Sequence, residues 1–263
     1  MIWNAADPAV ARVLELRQYT LRPGQREVLI ELFERELIEP QEALGMQILG
    51  QFRDLDRPNR FVWMRGFSGM EARRKGLAGF YGGPIWAAWG PAANATMIDS
   101  DDVLLLRPCG PTGGLRPNVH PRPSPGAKPD PGVLHATILT GDPAEVPTRT
   151  SRLSRDLDRA LAEAGHRLIG CYQTDPTPNN FPRLPVRADT ALVWFTTSHQ
   201  PAETSPTTHR ANDLTQVAKA LGQDSSLSWS HLRLGATSRS TLTAHAARVG
   251  TSWAFAENAG WER

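Results

Sequence analysis

The sequence predicts an α+β protein built as two tandem units, each with the ferredoxin-like order β-α-β-β-α-β. Three observations predict it. A Pro- and Gly-dense stretch at 108–132, PCGPTGGLRPNVHPRPSPGAKPDPG, divides the chain into two segments of similar size; such a stretch forms neither a helix nor a central strand. Each segment interleaves runs of period-two alternation with runs of helical periodicity. Residues also recur at one offset of 120 positions: Leu14-Glu15 with Leu134-His135, and the run Gly45 to Gly50 with the run Gly165 to Gly170. Past a longer loop, Val62-Trp63 corresponds to Val193-Trp194. An equal offset kept across a helix argues for a duplicated unit.

The elements follow in order. VLELRQYTL (13–21) reads as a strand ending before Pro23-Gly24, and 25–45 carries Val28, Leu29, Leu32, Phe33 and Leu37 at helical spacing. Strands at 46–54 and 60–67 flank Asp56, Pro58 and Asn59, a turn composition. A helix over 68–83, a short helix from Pro84 to Ala95 and a closing strand at 101–108 complete the first unit. The second unit opens with a strand at 133–141 and a helix at 149–165. A strand at 166–174, a long Pro/Asn loop, a strand at 191–197, a helix near 207–221 and a strand at 231–237 follow. The predicted organisation is an extension at 1–12, units at 13–108 and 133–243, a linker at 109–132 and a tail at 244–263. The tail's Trp253, Phe255 and Trp261 dock on the barrel or join copies of the chain; the sequence leaves both open.

Composition narrows the class. The chain has 263 residues, 40% apolar and 21% charged, with a net charge of +2. Its lysines are Lys75, Lys128 and Lys219, and no basic run interleaves with aromatics, so a nucleic-acid partner is not expected. The start lacks the basic and apolar regions of a signal peptide, and no run is apolar enough to span a bilayer. A cytoplasmic protein without a membrane partner is expected. Cys109 and Cys171 show no metal-ligand spacing, and in a reducing compartment both are expected to remain thiols.

Alternation assigns the strand faces. Leu14 and Leu16, Met46, Ile48 and Phe52, and Val62 and Met64 form an apolar set, expected to pack on the helices. Opposite lie Glu15, Arg17 and Tyr19, then Gln51, then Phe61, Trp63 and Arg65. In the second unit His135, Arg167, Cys171, Trp194, His231 and Arg233 take the corresponding side. Large rings are costly in water, so these mixed faces are expected to meet across the two sheets and line a shared interior pocket.

The strings YTLRPGQREVLIELF and LGQFRDLDRPNRFVWMRGFSGMEARRKGLAGFYGGPIWAAW resemble the NIPSNAP family. The shared features are Tyr19, Arg22-Pro23-Gly24, Gly50, Asn59, Trp63, an Arg at 73 or 74, and a Trp at 86 or 89. The resemblance covers about 13–108 and weakens over 133–240. It implies a dimeric α/β barrel, here formed within one chain. The wider superfamily holds monooxygenases, haem enzymes, decarboxylases, dehydratases and cyclases, so the fold does not select a reaction.

Pseudo-twofold packing would bring the equivalent residues Glu15 and His135 together. His135 would then act as general acid or base, with Glu15 orienting it or acting itself, and His231 is a second candidate base; a structural ion pair or a strand-surface pair is the competing explanation. Arg17, Arg65, Arg167 and Arg233 would hold a carboxylate, enolate or phenolate. Tyr19, Phe61, Trp63 and Trp194 would form an apolar wall, with Gln51 and Cys171 beside it. The seven histidines lack metal-site spacing, so no metal and no cofactor are expected; haem, on His135, His209 or His231, is the alternative. The sequence-level function is a cofactor-independent enzyme doing acid–base chemistry (cyclisation, dehydration or isomerisation) on a small, largely apolar substrate. Oxygenation of an activated aromatic is the second enzymatic reading. A ligand carrier or interaction scaffold, in a monomer or a homo-oligomer, is the non-catalytic one.

Overall fold

The computed structural model describes residues 10–109, 113–116, 121–141, 161–162, 165–198 and 228–244. The first unit contains β1 (Val13–Leu21), α1 (Arg26–Leu32), a π-helical turn (Phe33–Leu37), α2 (Ile38–Glu42), β2 (Gln47–Asp54), β3 (Arg60–Phe67), α3 (Met70–Tyr81), α4 (Pro84–Ala95), β4 (Met97–Asp99) and β5 (Val103–Pro108). The second contains β6 (Val133–Gly141), β7 (His166–Thr174), β8 (Thr190–Ser198) and β9 (Ser228–Ala236). The helix predicted over 149–165 lies mostly outside the described residues. That near 207–221 and the tail beyond Ala244 lie wholly outside them.

The strands pair in the circuit β1-β3-β2-β9-β6-β8-β7-β5 and back to β1, every pairing antiparallel. The sheet is therefore a closed barrel, with β4 a short addition at the end of β1. The β2–β9 and β5–β7 seams join the units, and closure removes the free edges that each unit alone would expose. The α+β class and the intramolecular barrel are as expected.

The assignment of faces is reversed for most of the apolar set, while Met46 and Ile48 pack on the helix side as expected. Leu14, Leu16, Phe52, Val62, Met64, Leu104 and Leu106 form one apolar cluster with Leu134, Ala136, Ile138, Tyr172, Val193, Phe195, Leu232 and Leu234. These residues come from every strand of the barrel and no helix, so they fill its interior. An eight-stranded barrel is just wide enough for side chains to fill. Its interior offers no water or helix to satisfy a charge, which makes hydrocarbon the stable filling. The mixed face instead looks outward: Tyr19, Phe61 and Trp63 cluster with helix residues Leu29, Phe33, Leu37, Leu77 and Phe80. Cys171 and Trp194 form a smaller cluster with Leu139, Leu161 and Leu192 on the outside of the second unit's strands. The expected pocket inside the barrel is thereby overturned.

Both units carry the same local devices. Pairing shifts by one residue between Ile48 and Gly50 in β2 and between Leu168 and Gly170 in β7. A bulge flips the alternation, so Ile48 joins the helix side while Leu49 and Phe52 point inward, contrary to the single face expected for Ile48 and Phe52. Gly45 and Gly165, 120 positions apart, both adopt positive φ, +80° and +75°, which only glycine takes without strain. After each closing strand a leucine plugs the barrel. Leu115 packs so closely on Gly170 that a Cβ there would lie 2.9 Å from it, and the Leu242 N–H donates to the Leu49 carbonyl at 2.8 Å. The linker thus contributes a core residue rather than only crossing the surface.

The helix predicted over 25–45 is broken by the π-helical turn. Pro40 has no N–H for the Glu36 carbonyl and its ring crowds that position, a common cause of such widening. Leu29, Ile30, Leu32, Phe33, Leu37, Ile38 and Gln41 are buried, whereas Val28 is exposed.

Candidate functional site

Beneath the helices of the first unit lies a polar layer built on one carboxylate. Glu15, fully buried on β1, accepts hydrogen bonds from Arg17 Nη1 at 2.9 Å, Arg65 Nη2 at 2.6 Å and Arg73 Nε at 2.7 Å. Antiparallel register places Glu15 directly opposite Arg65, and Arg73 descends from α3. Arg17 Nε donates to the Tyr19 hydroxyl at 2.9 Å, and Arg65 Nη1 donates to Gln41 Oε1 at 2.8 Å. The π-helical turn thus aims a helix amide at a sheet guanidinium.

Three buried guanidiniums against one carboxylate leave an excess of positive charge. Aromatic faces offset part of it. The Arg65 guanidinium lies 5.0 Å from the Trp63 ring centre and 5.6 Å from that of Phe67, and Arg17 lies 5.4 Å from Tyr19. Burial alone would raise the Glu15 pKa, but Arg65, Arg17 and Arg73 together hold it far below the usual carboxylate range. Glu15 is therefore too weak a base for the proton-abstracting role expected of it. Burial also lowers the Arg73 pKa against the opposing pull of Glu15, and raises that of the Tyr19 phenol against Arg17.

The second unit completes this layer. The loop between β7 and β8 crosses to α3, where Asn179 and Asn180 accept from Arg73 Nη1 at 3.0 and 2.9 Å and Asn180 Nδ2 donates to the Met70 carbonyl at 2.7 Å. Four polar ends remain without partners: Arg73 Nη2, Trp63 Nε1, and both Oε1 and Nε2 of Gln51. Gln51 and Trp63 are cross-strand neighbours, as are Trp63 and Arg17. Unpaired buried donors and acceptors are uncommon in folded proteins, and here they gather in one layer.

The histidines assemble elsewhere. On the outer face of the second unit, His135 Nδ1 lies 3.2 Å from His231 Nε2, and His231 Nδ1 lies 3.0 Å from Thr137 Oγ1. His166 packs edge-on against His135, with ring centres 5.1 Å apart. Burial, then the nearby His166, lowers the His231 pKa to about 4, with Asp56 opposing and Arg233 adding to the fall. His231 is thus neutral near pH 7 and bridges Thr137 and His135.

The structure brings together Glu15, Arg17, Tyr19, Trp63 and Arg65, with Phe61 and Gln51 in the same layer, and separately His135 with His231. The expected meeting of Glu15 with His135 does not occur. The two occupy equivalent positions, but each faces outward, because the equivalent face of both sheets points away from the barrel. Trp194, opposite Cys171, stacks edge-on with Trp229 at 5.5 Å in the second unit. Arg233 leaves the site to pair with Asp56 across the seam at 2.8 Å. Arg167 lies between His166 and Leu168 on the opposite face of β7. His209 is outside the described residues. Sequence reasoning missed Arg73 as a ligand of Glu15, and with it Gln41, Asn179, Asn180 and His166. The Arg at helical position 73 or 74 was the available signal; Arg74 is instead exposed and pairs with Glu71.

Residues 14–110 match the NIPSNAP family model. No curated protein matches the chain by sequence. Among solved structures, an anthrone oxidase-like protein is 11% identical, covering 89% of this chain and 93% of its own with a TM-score of 0.52. A NIPSNAP family protein of unknown function from Agrobacterium tumefaciens is 22% identical over 39% of this chain and 92% of its own, with a TM-score of 0.35. A proposed monooxygenase from Lactobacillus acidophilus is 12% identical over 86% and 98%, with a TM-score of 0.47. The first of these shares the fold across both units. Among the described residues, no helix is long and apolar enough to cross a membrane.

Proposed function

We propose, for a chain whose first unit is of NIPSNAP type, a cofactor-independent enzyme that stabilises the anion of a small, largely apolar substrate beneath the helices of that unit. The carrying observation is the buried excess of guanidinium charge around Glu15, together with the unpaired Arg73 Nη2, Trp63 Nε1 and Gln51 amide. Preorganised donors in a water-poor layer stabilise a developing enolate or phenolate without reorganising at the moment of reaction. Arg73 and Arg65 would hold the oxyanion, Trp63 and Phe61 would flank the apolar body, and the Tyr19 hydroxyl would supply a proton. That set suits cyclisation, dehydration or isomerisation through an enolate.

A second reading uses the same groups. A phenolate or enolate held this way reacts directly with oxygen, and the anthrone oxidase-like neighbour makes an anthrone the natural probe. The products would be an anthraquinone and water.

Titration with 2-naphthoate, followed by tryptophan fluorescence, tests the binding step. Wild-type protein is expected to bind, and Arg73→Gln to bind at least about tenfold more weakly, the loss typical of one charge-assisted hydrogen bond. Equal binding by the two proteins would remove Arg73 from the site. Oxygen uptake with anthrone then separates the readings: uptake above the protein-free rate favours oxygenation, whereas binding without uptake leaves enolate chemistry or carriage.

A further inference from the structure

We infer that Cys109 and Cys171 form an oxidisable dithiol across the seam between the units, a modification site that takes a small-molecule disulfide as oxidant. The seam register runs Leu106 to Thr174, Arg107 to Gln173 and Pro108 to Tyr172. The next pair in that register is Cys109 with Cys171, and the Cys109 N–H donates to the Cys171 carbonyl at 2.9 Å. Directly opposed residues of an antiparallel ladder have Cα and Cβ separations within the range a disulfide spans. The sulfurs already lie 3.3 Å apart.

The two cysteines differ in access. Cys109 is partly exposed at the start of the linker, whereas Cys171 is buried beside Trp194 and Leu168. The order of reaction follows from this difference. The Cys109 thiolate attacks one sulfur of a small disulfide, forming a mixed disulfide and releasing one thiolate. The Cys171 thiolate then attacks Cys109 Sγ and displaces the second. The protons of the two cysteines go to the two released thiolates, so the chain is oxidised by two electrons while the small disulfide becomes two thiols. The bond formed covalently ties β5 of the first unit to β7 of the second and closes a chain segment between residues 62 positions apart. The expectation that both remain thiols in a reducing compartment becomes conditional on the redox poise.

The test uses the full chain in glutathione redox buffers, quenched by alkylation and mapped by mass spectrometry without reduction. The expected product is an intramolecular Cys109–Cys171 link lighter by two hydrogens and free of glutathione, with fluorescence of Trp194 quenched. Cys171→Ser is expected to stop at a glutathione adduct on Cys109. Effective concentration in the folded barrel should raise the linking equilibrium at least about tenfold over the urea-unfolded chain. A wild-type protein that stays reduced, stops at the Cys109 adduct, links two chains together or links no better than when unfolded would overturn the inference. Should Cys171→Ser fail to fold, the comparison of folded with unfolded wild type still decides.

Discussion

Replacing Glu15 with Gln keeps the volume of the side chain and removes the only charge that three buried guanidiniums share. At about 4 Å and an effective dielectric near 20, one unit-charge pair interacts by roughly 4 kcal/mol. Three such attractions vanish, while the repulsions among Arg17, Arg65 and Arg73 remain. Much of the gross figure is offset by desolvation already spent on the carboxylate, and an amide oxygen still accepts one or two of the bonds. Removing one member of a buried ion pair costs about 3–5 kcal/mol, and the loss here belongs at the upper end because three cations are stranded. Against a total stability of roughly 5–15 kcal/mol, Glu15→Gln should lose from a third to all of it. Urea denaturation followed by circular dichroism measures it, and Arg65→Gln on the same background should return part of the loss by lowering the repulsion. A cost for Glu15→Gln below about 1 kcal/mol, or a double variant less stable by the full sum of the singles, would show that the network does not carry uncompensated charge.

The other outcomes are narrower. Because the folded pKa of His231 is lowered to about 4 by burial, the unfolded chain takes up the proton first. Stability should then hold above pH 6.5 and fall between pH 6.5 and 4 by up to about 3 kcal/mol, a slope that His231→Gln should flatten. Glu15, depressed by its arginines, contributes stability that is present above the ordinary carboxylate range and lost only as pH falls through and below it, so acid titration should show a second decline at lower pH. Leu115→Ala opens a cavity where the linker plugs the barrel and should cost about 2–5 kcal/mol in the same urea assay. Arg233→Ala breaks an exposed pair with Asp56 and should change stability by no more than about 1 kcal/mol.

Element boundaries were legible because their signals are local. β1, β3, β6, β7 and α4 span the residues expected of them, since period-two alternation and Gly/Pro punctuation act within a few residues. The π-helical turn was not legible from the apolar spacing of 25–45, although Pro40 marks where it must occur. The β2 and β7 bulges were likewise hidden, because one inserted residue leaves composition unchanged while exchanging the faces beyond it. Among site residues, Glu15, Arg17, Arg65, Tyr19 and Trp63 were found together because they alternate on adjacent strands. Asn179 and Asn180 were not, since they reach Arg73 from the other unit along a loop without periodicity.

The sequence alone determined the order of the described strands and of the first unit's helices, and the alternation of apolar and mixed sides along the strands without bulges. Only the tertiary structure decided which side faces inward. Alternation is symmetric under exchange of faces, whereas closure is not: a barrel of this size leaves no room for hydration, so branched and aromatic hydrocarbon fills it. Charged groups settle under the helices, where Gln41, Arg73 and a loop from the opposite unit supply partners. That choice separated Glu15 from His135 and put the buried arginine layer outside the barrel rather than within it.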